Sequence, residues 1–467
     1  MKRSRHSTRV TRRDFLKATS ALSMMGPAAP FALNLLGIGN AAAQAAADYK
    51  ALVCVFLFGG QDHYNTVVPY DLASYNTYAG VRSTPPTPIA LDRATLLEIV
   101  PNTSQGAGLQ FALPQQLPLM KALFDAGKMV VVSNVGPLIV PTTLAQYRAK
   151  SVPLPPKLFS HNDQQSVWQA LGPEGTLSGW GGRIGDAVLS QNGNSTFTCI
   201  SASGNTVWLA GQQALQYQVS TSATIAVRIN GISGSTLFGS NVGPSAMRTL
   251  ITSGGTNLVQ RDHSAIVQRS INATSTLTSA LASEPALTTI FPSNNGLASQ
   301  LQTVARLISV RNALGARRQI FFVSLGGFDT HDNEITTLPG LHTLIDGAVK
   351  AFYDASVELG VADKVTLFTA SDFGRTLTSN GDGTDHGWGS HHFVVGGAVR
   401  GKDIYGTMPT VALNTNDDAG QGRLIPTTSV DQYAATLATW FGVSPAELAS
   451  ILPNLRNFSA QNLGFLI

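Results

Sequence analysis

The sequence predicts an α/β protein built on a large, mostly parallel, doubly wound sheet sandwiched by helices. Three observations predict it: apolar runs of strand length recur, each run ends in small or polar turn residues, and amphipathic helical segments separate the runs. Hydrophobic residues form 43% of the chain and charged residues 12%, which excludes a disordered chain or a coiled coil.

Residues 1–45 predict a twin-arginine export signal. The pair Arg12-Arg13 precedes an apolar stretch that ends near Ile38, and the alanines that follow resemble a cleavage site. A transmembrane anchor is disfavoured because prolines and glycines interrupt the stretch. The segment also accounts for the net charge of +4, since the remaining chain is slightly acidic. We therefore expect the Tat export machinery as a partner, a periplasmic or secreted location, no membrane contact after cleavage and no nucleic acid.

Apolar runs within residues 46–467 predict buried strands at 51–58, 129–135, 319–325, 365–370 and 393–399. Helical patterns occupy 117–126, 341–359 and 429–441. A further helix begins at Ser444, because Pro445 suits the first helical position and Glu447 completes a capping box. Since strands and helices alternate, we expect one α/β domain over 46–467.

The range 191–299 differs in composition from the rest of that domain. It is rich in Ser, Thr, Asn and Gly and has few apolar runs, which predicts an inserted cap or subdomain with one or two long polar helices. Cys54 and Cys199 could form one disulfide in an exported protein or remain two buried thiols, and the sequence leaves both possibilities open.

Polar residues follow the ends of the predicted strands, where a doubly wound sheet gathers its functional groups. Carboxylates and imidazoles delivered to one edge of a sheet can hold divalent transition metals. The candidate ligands are Asp62, Asp329, His331, Asp372, His386 and His391. An aspartate at a strand end is also a common turn or capping residue, so a purely structural role stays open for each loop.

The residues of these loops carry a family resemblance. Stretches 59–69, 159–161, 324–331, 371–375 and 383–387 resemble the bacterial exported family named domain of unknown function 1501. Similarity places that family in the alkaline phosphatase and sulfatase superfamily, which implies a large mixed sheet between layers of helices. The resemblance also implies a two-metal esterase site that uses Zn, Mn, Mg or Ca.

Particular roles follow from the resemblance. The metal-binding positions are matched by Asp62, Asp329, His331, Asp372 and His386, and the further candidates are His342, His391 and His392. Arg375 would bind the oxygens of a phosphate or sulfate, or else form a salt bridge to a nearby acid. Ser160 would be the nucleophile at a helix N-terminus, or else only the cap of that helix. The chain departs from the superfamily where Phe373, and not histidine, follows Asp372.

Three function classes remain. The favoured one is a metal-dependent hydrolase of phosphate or sulfate esters in the periplasm, with a small anionic ester as substrate. The alternative is a non-catalytic binding or assembly protein on the same scaffold. A serine hydrolase of the α/β type is disfavoured because the chain contains no G-x-S-x-G motif.

Overall fold

The computed structural model describes residues 49–106, 108–222 and 225–467, so the predicted export signal lies outside the described residues. The strands are β1 (Lys50–Leu57), β2 (Val68–Pro69), β3 (Leu97–Ile99), β4 (Phe111–Leu113), β5 (Met129–Gly136), β6 (Cys199–Ser201), β7 (Gln216–Gln218), β8 (Arg318–Leu325), β9 (Val365–Ser371), β10 (Arg375–Ser379), β11 (Thr384–His386), β12 (Ser390–Gly396), β13 (Asp403–Tyr405) and β14 (Thr428–Ser429).

The helices are α1 (Leu72–Arg82), α2 (Pro118–Asp125), α3 (Leu144–Ala149), α4 (His161–Ala170), α5 (Trp180–Val188), α6 (Gly243–Thr252), α7 (Leu258–Ser283), α8 (Gly296–Ser309), α9 (Glu334–Glu358), α10 (Val430–Phe441) and α11 (Pro445–Ile451). Among the described residues, none of these helices is both long and apolar enough to cross a bilayer.

The main sheet has nine strands in the order β13-β5-β12-β9-β1-β8-β6-β7, with β14 also paired to β5. Its pairs are parallel except for β12, which runs antiparallel to both β5 and β9. The predicted α/β class with a mostly parallel sheet is therefore confirmed.

Strand β1 lies in the middle of the sheet because both of its faces are apolar. Val53 and Val55 enter a core shared with α2, α8 and α9, whereas Cys54 and Phe56 enter a second core shared with α5, α10 and α11. Cys199 lies in that second core as well, and both cysteines are buried and free. Helices thus cover both faces, and the open edge of the sheet is left for polar groups.

Two elements differ from the sequence prediction. Strand β12 begins at Ser390, so the pair His391-His392 lies within the strand and not ahead of it. The range 191–299 contributes β6 and β7 to the main sheet before α6 and α7 follow, so it is not wholly an insertion. Each of those two strands has only three residues, too few for an apolar run that stands out in the sequence.

Candidate metal centre

Four side chains from separate parts of the chain meet at the carboxyl edge of the sheet. Asp329 and His331 lie on the loop after β8, His161 is the first residue of α4, and His386 ends β11. One ligating atom from each of His161, Asp329 and His386 lies within 4.8 Å of the others, an arrangement that could hold a metal ion. The Nε2 atom of His331 is 2.8 Å from that of His386, so His331 joins the same cluster.

Asp329 is the centre of this cluster. Its Oδ1 atom is 3.1 Å from Nε2 of His331 and 3.2 Å from Nε2 of His386. Its Oδ2 atom is 3.4 Å from Nε2 of His161. All three imidazoles therefore turn the same ring nitrogen toward one carboxylate.

The other ring nitrogen of each histidine faces an acceptor. Nδ1 of His161 is 2.6 Å from Oδ2 of Asp372, and Nδ1 of His386 is 2.7 Å from the carbonyl oxygen of Phe159. Nδ1 of His331 is 3.4 Å from Oδ1 of Asp385. For His161 and His386 these hydrogen-bond partners hold the hydrogen on Nδ1 and leave the Nε2 lone pair for a metal, which is the usual support of histidine ligands.

The short contact between the Nε2 atoms of His331 and His386 requires a hydrogen or a cation between them. Since a carbonyl oxygen only accepts, His386 carries its hydrogen on Nδ1, and burial lowers the pKa of its imidazole. The lone pair on its Nε2 then faces His331 and an oxygen of Asp329. Either a hydrogen on Nε2 of His331 or a divalent cation must face this lone pair, and a cation would satisfy all of the lone pairs together.

The backbone is shaped to give His386 its partner. Phe159 has a φ of 73°, which is left-handed and uncommon for an aromatic residue, and its carbonyl oxygen points at His386. Such conformations cost about 1–3 kcal/mol and gather at functional sites. Here the strain places an acceptor that no side chain provides.

The pKa values of two groups in the cluster follow from their contacts. The hydrogen bond to Asp372 raises the pKa of His161 more than burial lowers it. Burial raises the pKa of Asp329, but the hydrogen bond and charge of Arg375 outweigh it, so the pKa is lowered. Asp329 is thus ionised near neutral pH and available as a ligand.

Arg375 positions Asp329 and does not reach toward a substrate. Its side chain is fully buried, and Nη1 donates to Oδ1 of Asp329 at 2.7 Å and to the carbonyl oxygen of Gly59 at 3.2 Å. Its other nitrogens bond to the hydroxyl and carbonyl oxygens of Thr384. The expected fork on a phosphate or sulfate is therefore replaced by a salt bridge to Asp329.

Two glycines let the loops approach this closely. A Cβ on Gly59 would lie 2.3 Å from the backbone nitrogen of Asp329, and one on Gly60 would lie 2.4 Å from the ring of Phe373. Both glycines also have positive φ, 116° and 88°. The ring of Phe373 packs against His161 and His386, with centroids 4.8 Å and 4.6 Å apart, and forms an apolar floor beneath the cluster.

The structure does not place Asp62 among the ligands. Arg82 binds both of its oxygens, at 2.5 Å and 2.9 Å, and both side chains are fully buried. The charge of Arg82 outweighs burial and lowers the pKa of Asp62. A guanidinium therefore occupies the position next to Asp62 where the two-metal interpretation requires a cation, and Glu334 approaches the same arginine at 3.5 Å.

Asp372 also has a different role from the predicted one. It is fully buried, and its Oδ2 atom accepts hydrogen bonds from His161 and, at 2.7 Å, from Nε2 of Gln165. It orients a ligand and is not placed as one itself.

His391, His392 and His342 are buried apart from the cluster. Nδ1 of His391 accepts the backbone N–H of Asn134 at 3.0 Å, so its hydrogen is on Nε2 and the ring has no lone pair left for a metal. Nδ1 of His392 contacts the Thr369 hydroxyl, and Nε2 of His342 contacts the Thr66 hydroxyl. Burial lowers the pKa of His391 and His392 to about 3 and that of His342 to about 4.

Ser160 caps the start of α4 by position, but its hydroxyl makes no capping hydrogen bond. It donates to Oδ2 of the buried Asp163 at 2.8 Å. Ser160 directly precedes His161 in the sequence, and its hydroxyl has an acceptor for its proton.

The sequence did not identify His161 as a ligand, although it stands in one of the motifs that carry the family resemblance. It also missed the carbonyl of Phe159 and the carboxylate of Asp385. Asp385 directly precedes His386, so a search for a second acid within that loop could have found it.

The fold and the cluster define a class of protein, an α/β chain that gathers imidazole and carboxylate groups at the carboxyl edge of a mostly parallel sheet. The chain belongs to the family described as Protein of unknown function (DUF1501), whose model matches residues 49–448. That match confirms the family resemblance seen in the sequence motifs. None of the curated proteins compared with the chain matches it.

Solved structures give distant likenesses. The lipoteichoic acid synthase LtaP from Listeria monocytogenes has 8% identity and a TM-score of 0.32, with 90% of this chain and 75% of that chain covered. The C-terminal periplasmic domain of EcEptC from Escherichia coli, in complex with Zn, has 10% identity and a TM-score of 0.32, with 88% and 87% covered. The PsFucS1 sulfatase from Pseudoalteromonas sp. has 9% identity and a TM-score of 0.33, with 92% and 75% covered. Scores this low carry nothing about the site or the activity of this chain.

Proposed function

We propose that this chain is a metal-dependent hydrolase of phosphate or sulfate esters, exported by the twin-arginine route and active in the periplasm. The observation that carries the proposal is the convergence of three Nε2 atoms on Asp329, each imidazole held by an acceptor on its Nδ1. The export route is supported by the Arg12-Arg13 pattern of the sequence.

The donor set favours one metal over two. His161, His331, His386 and Asp329 would hold it, whereas Asp62 is neutralised by Arg82. Three imidazole nitrogens and one carboxylate suit Zn or Mn better than Mg or Ca, which prefer oxygen ligands. When bound, such an ion polarises an ester oxygen and acidifies a coordinated water.

The chain's own residues prepare the site for that chemistry. Asp372, Asp385 and the Phe159 carbonyl fix the imidazole rings, and Arg375 keeps Asp329 ionised. Ser160 is the candidate nucleophile, because its hydroxyl already donates its hydrogen to Asp163. The ring of Phe373 excludes water from beneath the imidazoles.

One observation favours the alternative, a binding or assembly protein without catalysis. Arg375 is buried, and its N–H groups donate hydrogen bonds to other residues of the protein, so it has no pair of donors facing a substrate anion. Bound metal without ester turnover would be the mark of that function.

The test is elemental analysis of the purified chain, followed by zinc and manganese titration and by turnover of aryl phosphates and aryl sulfates. His386→Gln should lose the metal and any turnover. His263→Gln is the matched control, because His263 is exposed on α7 and lies outside the cluster. Failure of the wild-type protein to bind either metal would overturn the proposal, and metal without turnover would replace it with the binding function.

A further inference from the structure

A tight turn between β7 and α6 exposes an aromatic ring to solvent. Leu237 and Ser240 exchange backbone hydrogen bonds of 2.9 Å and 3.0 Å, and the two residues between them, Phe238 and Gly239, have φ of 52° and 78°. Positive φ at both central positions marks a type I′ turn, in which Asn-Gly is preferred. Phe238 occupies the Asn position, and its side chain is 100% exposed.

Phe238 is unfavourable in this position for two reasons. A residue with a bulky side chain is strained at positive φ. A phenyl ring in contact with water also contributes no hydrophobic free energy to the stability of the fold. An unfavourable residue that no other contact in the fold compensates indicates a functional role, here an interaction with a partner.

Phe238 is one of several large apolar side chains that this part of the chain exposes. Within residues 215–266 the structure exposes a group of large hydrophobic side chains: Leu215, Val227, Phe238, Val242, Leu250, Leu258, Val259 and Ile266. Val259 and Ile266 are seven residues apart on α7 and so lie on one stripe of the helix. Three of these side chains, Leu215, Val227 and Ile266, line a hollow of about 350 Å³.

The charge of the same segment is positive. Arg228, Arg248, Arg261 and Arg269 are exposed, and Asp262 is the one acidic residue in the sequence from 215 to 269. Arg269 lines the hollow together with the apolar side chains. Exposed apolar groups interspersed with arginine are typical of surfaces that lie on anionic membranes.

We propose that segment 227–269 docks this protein on an anionic lipid surface, with Phe238 inserted among the acyl chains and the arginines on the headgroups. The proposal is independent of the metal centre, and it departs from the expectation of no membrane contact after signal cleavage. A second copy of the chain fits the surface less well, because a two-fold contact would bring the arginines of both copies together.

Co-sedimentation of the full mature chain with lipid vesicles tests the proposal. Vesicles of phosphatidylglycerol and phosphatidylcholine in equal parts should bind the protein, and pure phosphatidylcholine vesicles should bind it much less. Phe238→Asn should weaken binding about tenfold, as loss of one buried phenyl ring predicts. Because asparagine is the preferred residue of this turn, the variant should fold at least as well as the wild type.

The remaining variants separate charge from apolar contact. Arg248→Gln combined with Arg261→Gln should weaken binding about fivefold for each charge removed, and added salt should weaken the wild type in the same direction. Leu177→Asn is the matched control, because Leu177 is 88% exposed outside the segment and should not change binding. Equal binding to both kinds of vesicle, or unchanged binding by Phe238→Asn, would overturn the proposal. So would a dimer that forms without lipid and is lost in Phe238→Asn.

Discussion

The substitution Asp372→Asn should weaken metal binding and leave the stability of the fold nearly unchanged. Asp372 accepts the hydrogen bonds of His161 at 2.6 Å and of Gln165 at 2.7 Å on one oxygen. Its other oxygen, Oδ1, is buried and has no partner among the described residues. Asparagine has nearly the same shape and can still accept from His161, but it removes the negative charge and places an amide nitrogen at the position of Oδ1.

The expected magnitude follows from this geometry. Loss of the charge weakens the hold on Nδ1 of His161 and makes its Nε2 a poorer donor to a metal. Outer partners of metal-bound histidines typically contribute 10–100-fold in affinity, which is about 1.4–2.7 kcal/mol. The metal-free variant should unfold within about 1 kcal/mol of the wild type, because a buried carboxylate with an unpaired oxygen contributes little to stability.

Two measurements check this pair of effects. Zinc affinity is measured by competition with a chromophoric chelator, and urea unfolding is followed in the presence of a chelator. Asp385→Asn is the matched comparison, since its contact with His331 is longer, at 3.4 Å, and partly exposed, so its loss should weaken zinc binding less. Wild-type zinc affinity in Asp372→Asn would refute the assigned role of Asp372, and so would a loss of affinity that merely tracks a loss of stability.

Three further predictions concern other parts of the chain. Arg82→Met should lower the free energy of unfolding by about 3–5 kcal/mol, since it leaves the carboxylate of Asp62 buried without its cation. An unchanged urea midpoint would contradict the role of this ion pair. Burial raises the pKa of Asp431 to about 6, so the folded state favours the protonated carboxyl. The contribution of this protonated carboxyl to the stability of the fold is fully present below about pH 4 and is lost as the pH rises through 6. Asp431→Asn should therefore be more stable than the wild type at pH 8 by up to about 3 kcal/mol and no more stable at pH 4, as thermal unfolding at both pH values would show. Arg12→Lys combined with Arg13→Lys should leave an uncleaved precursor in the cytoplasm, and normal periplasmic accumulation on fractionation would count against the twin-arginine signal.

The sequence predicted the sheet well because its central strands are buried on both faces. Runs such as 51–58 and 319–325 are apolar without interruption, and the structure places β1 and β8 within a residue of them. The short strands β6 and β7 could not be found in this way. Strand β6 pairs with β8, which lies more than a hundred residues further along the chain, and β7 joins the sheet through β6.

The candidate site was predicted in part, and the missing part depends on partners that no local pattern shows. Asp329, His331 and His386 follow from their positions at strand ends. The role of Asp62 was decided by Arg82, which arrives from α1, and that of His391 by a backbone N–H of β5. Whether an aspartate or a histidine can bind a metal depends on what already occupies its lone pairs, and the sequence does not contain that information.

The side chains of the candidate metal centre come from three distant stretches of chain, around residues 161, 330 and 386. Helix α4, the loop after β8 and the hairpin of β10 and β11 must all have docked before four donor atoms face one another. A partly folded chain, or one cut short before His386, cannot assemble the set. Firmly bound zinc would then mark the molecules that have completed folding. The identity of the ion in the purified protein would show in which compartment the chain folded around it.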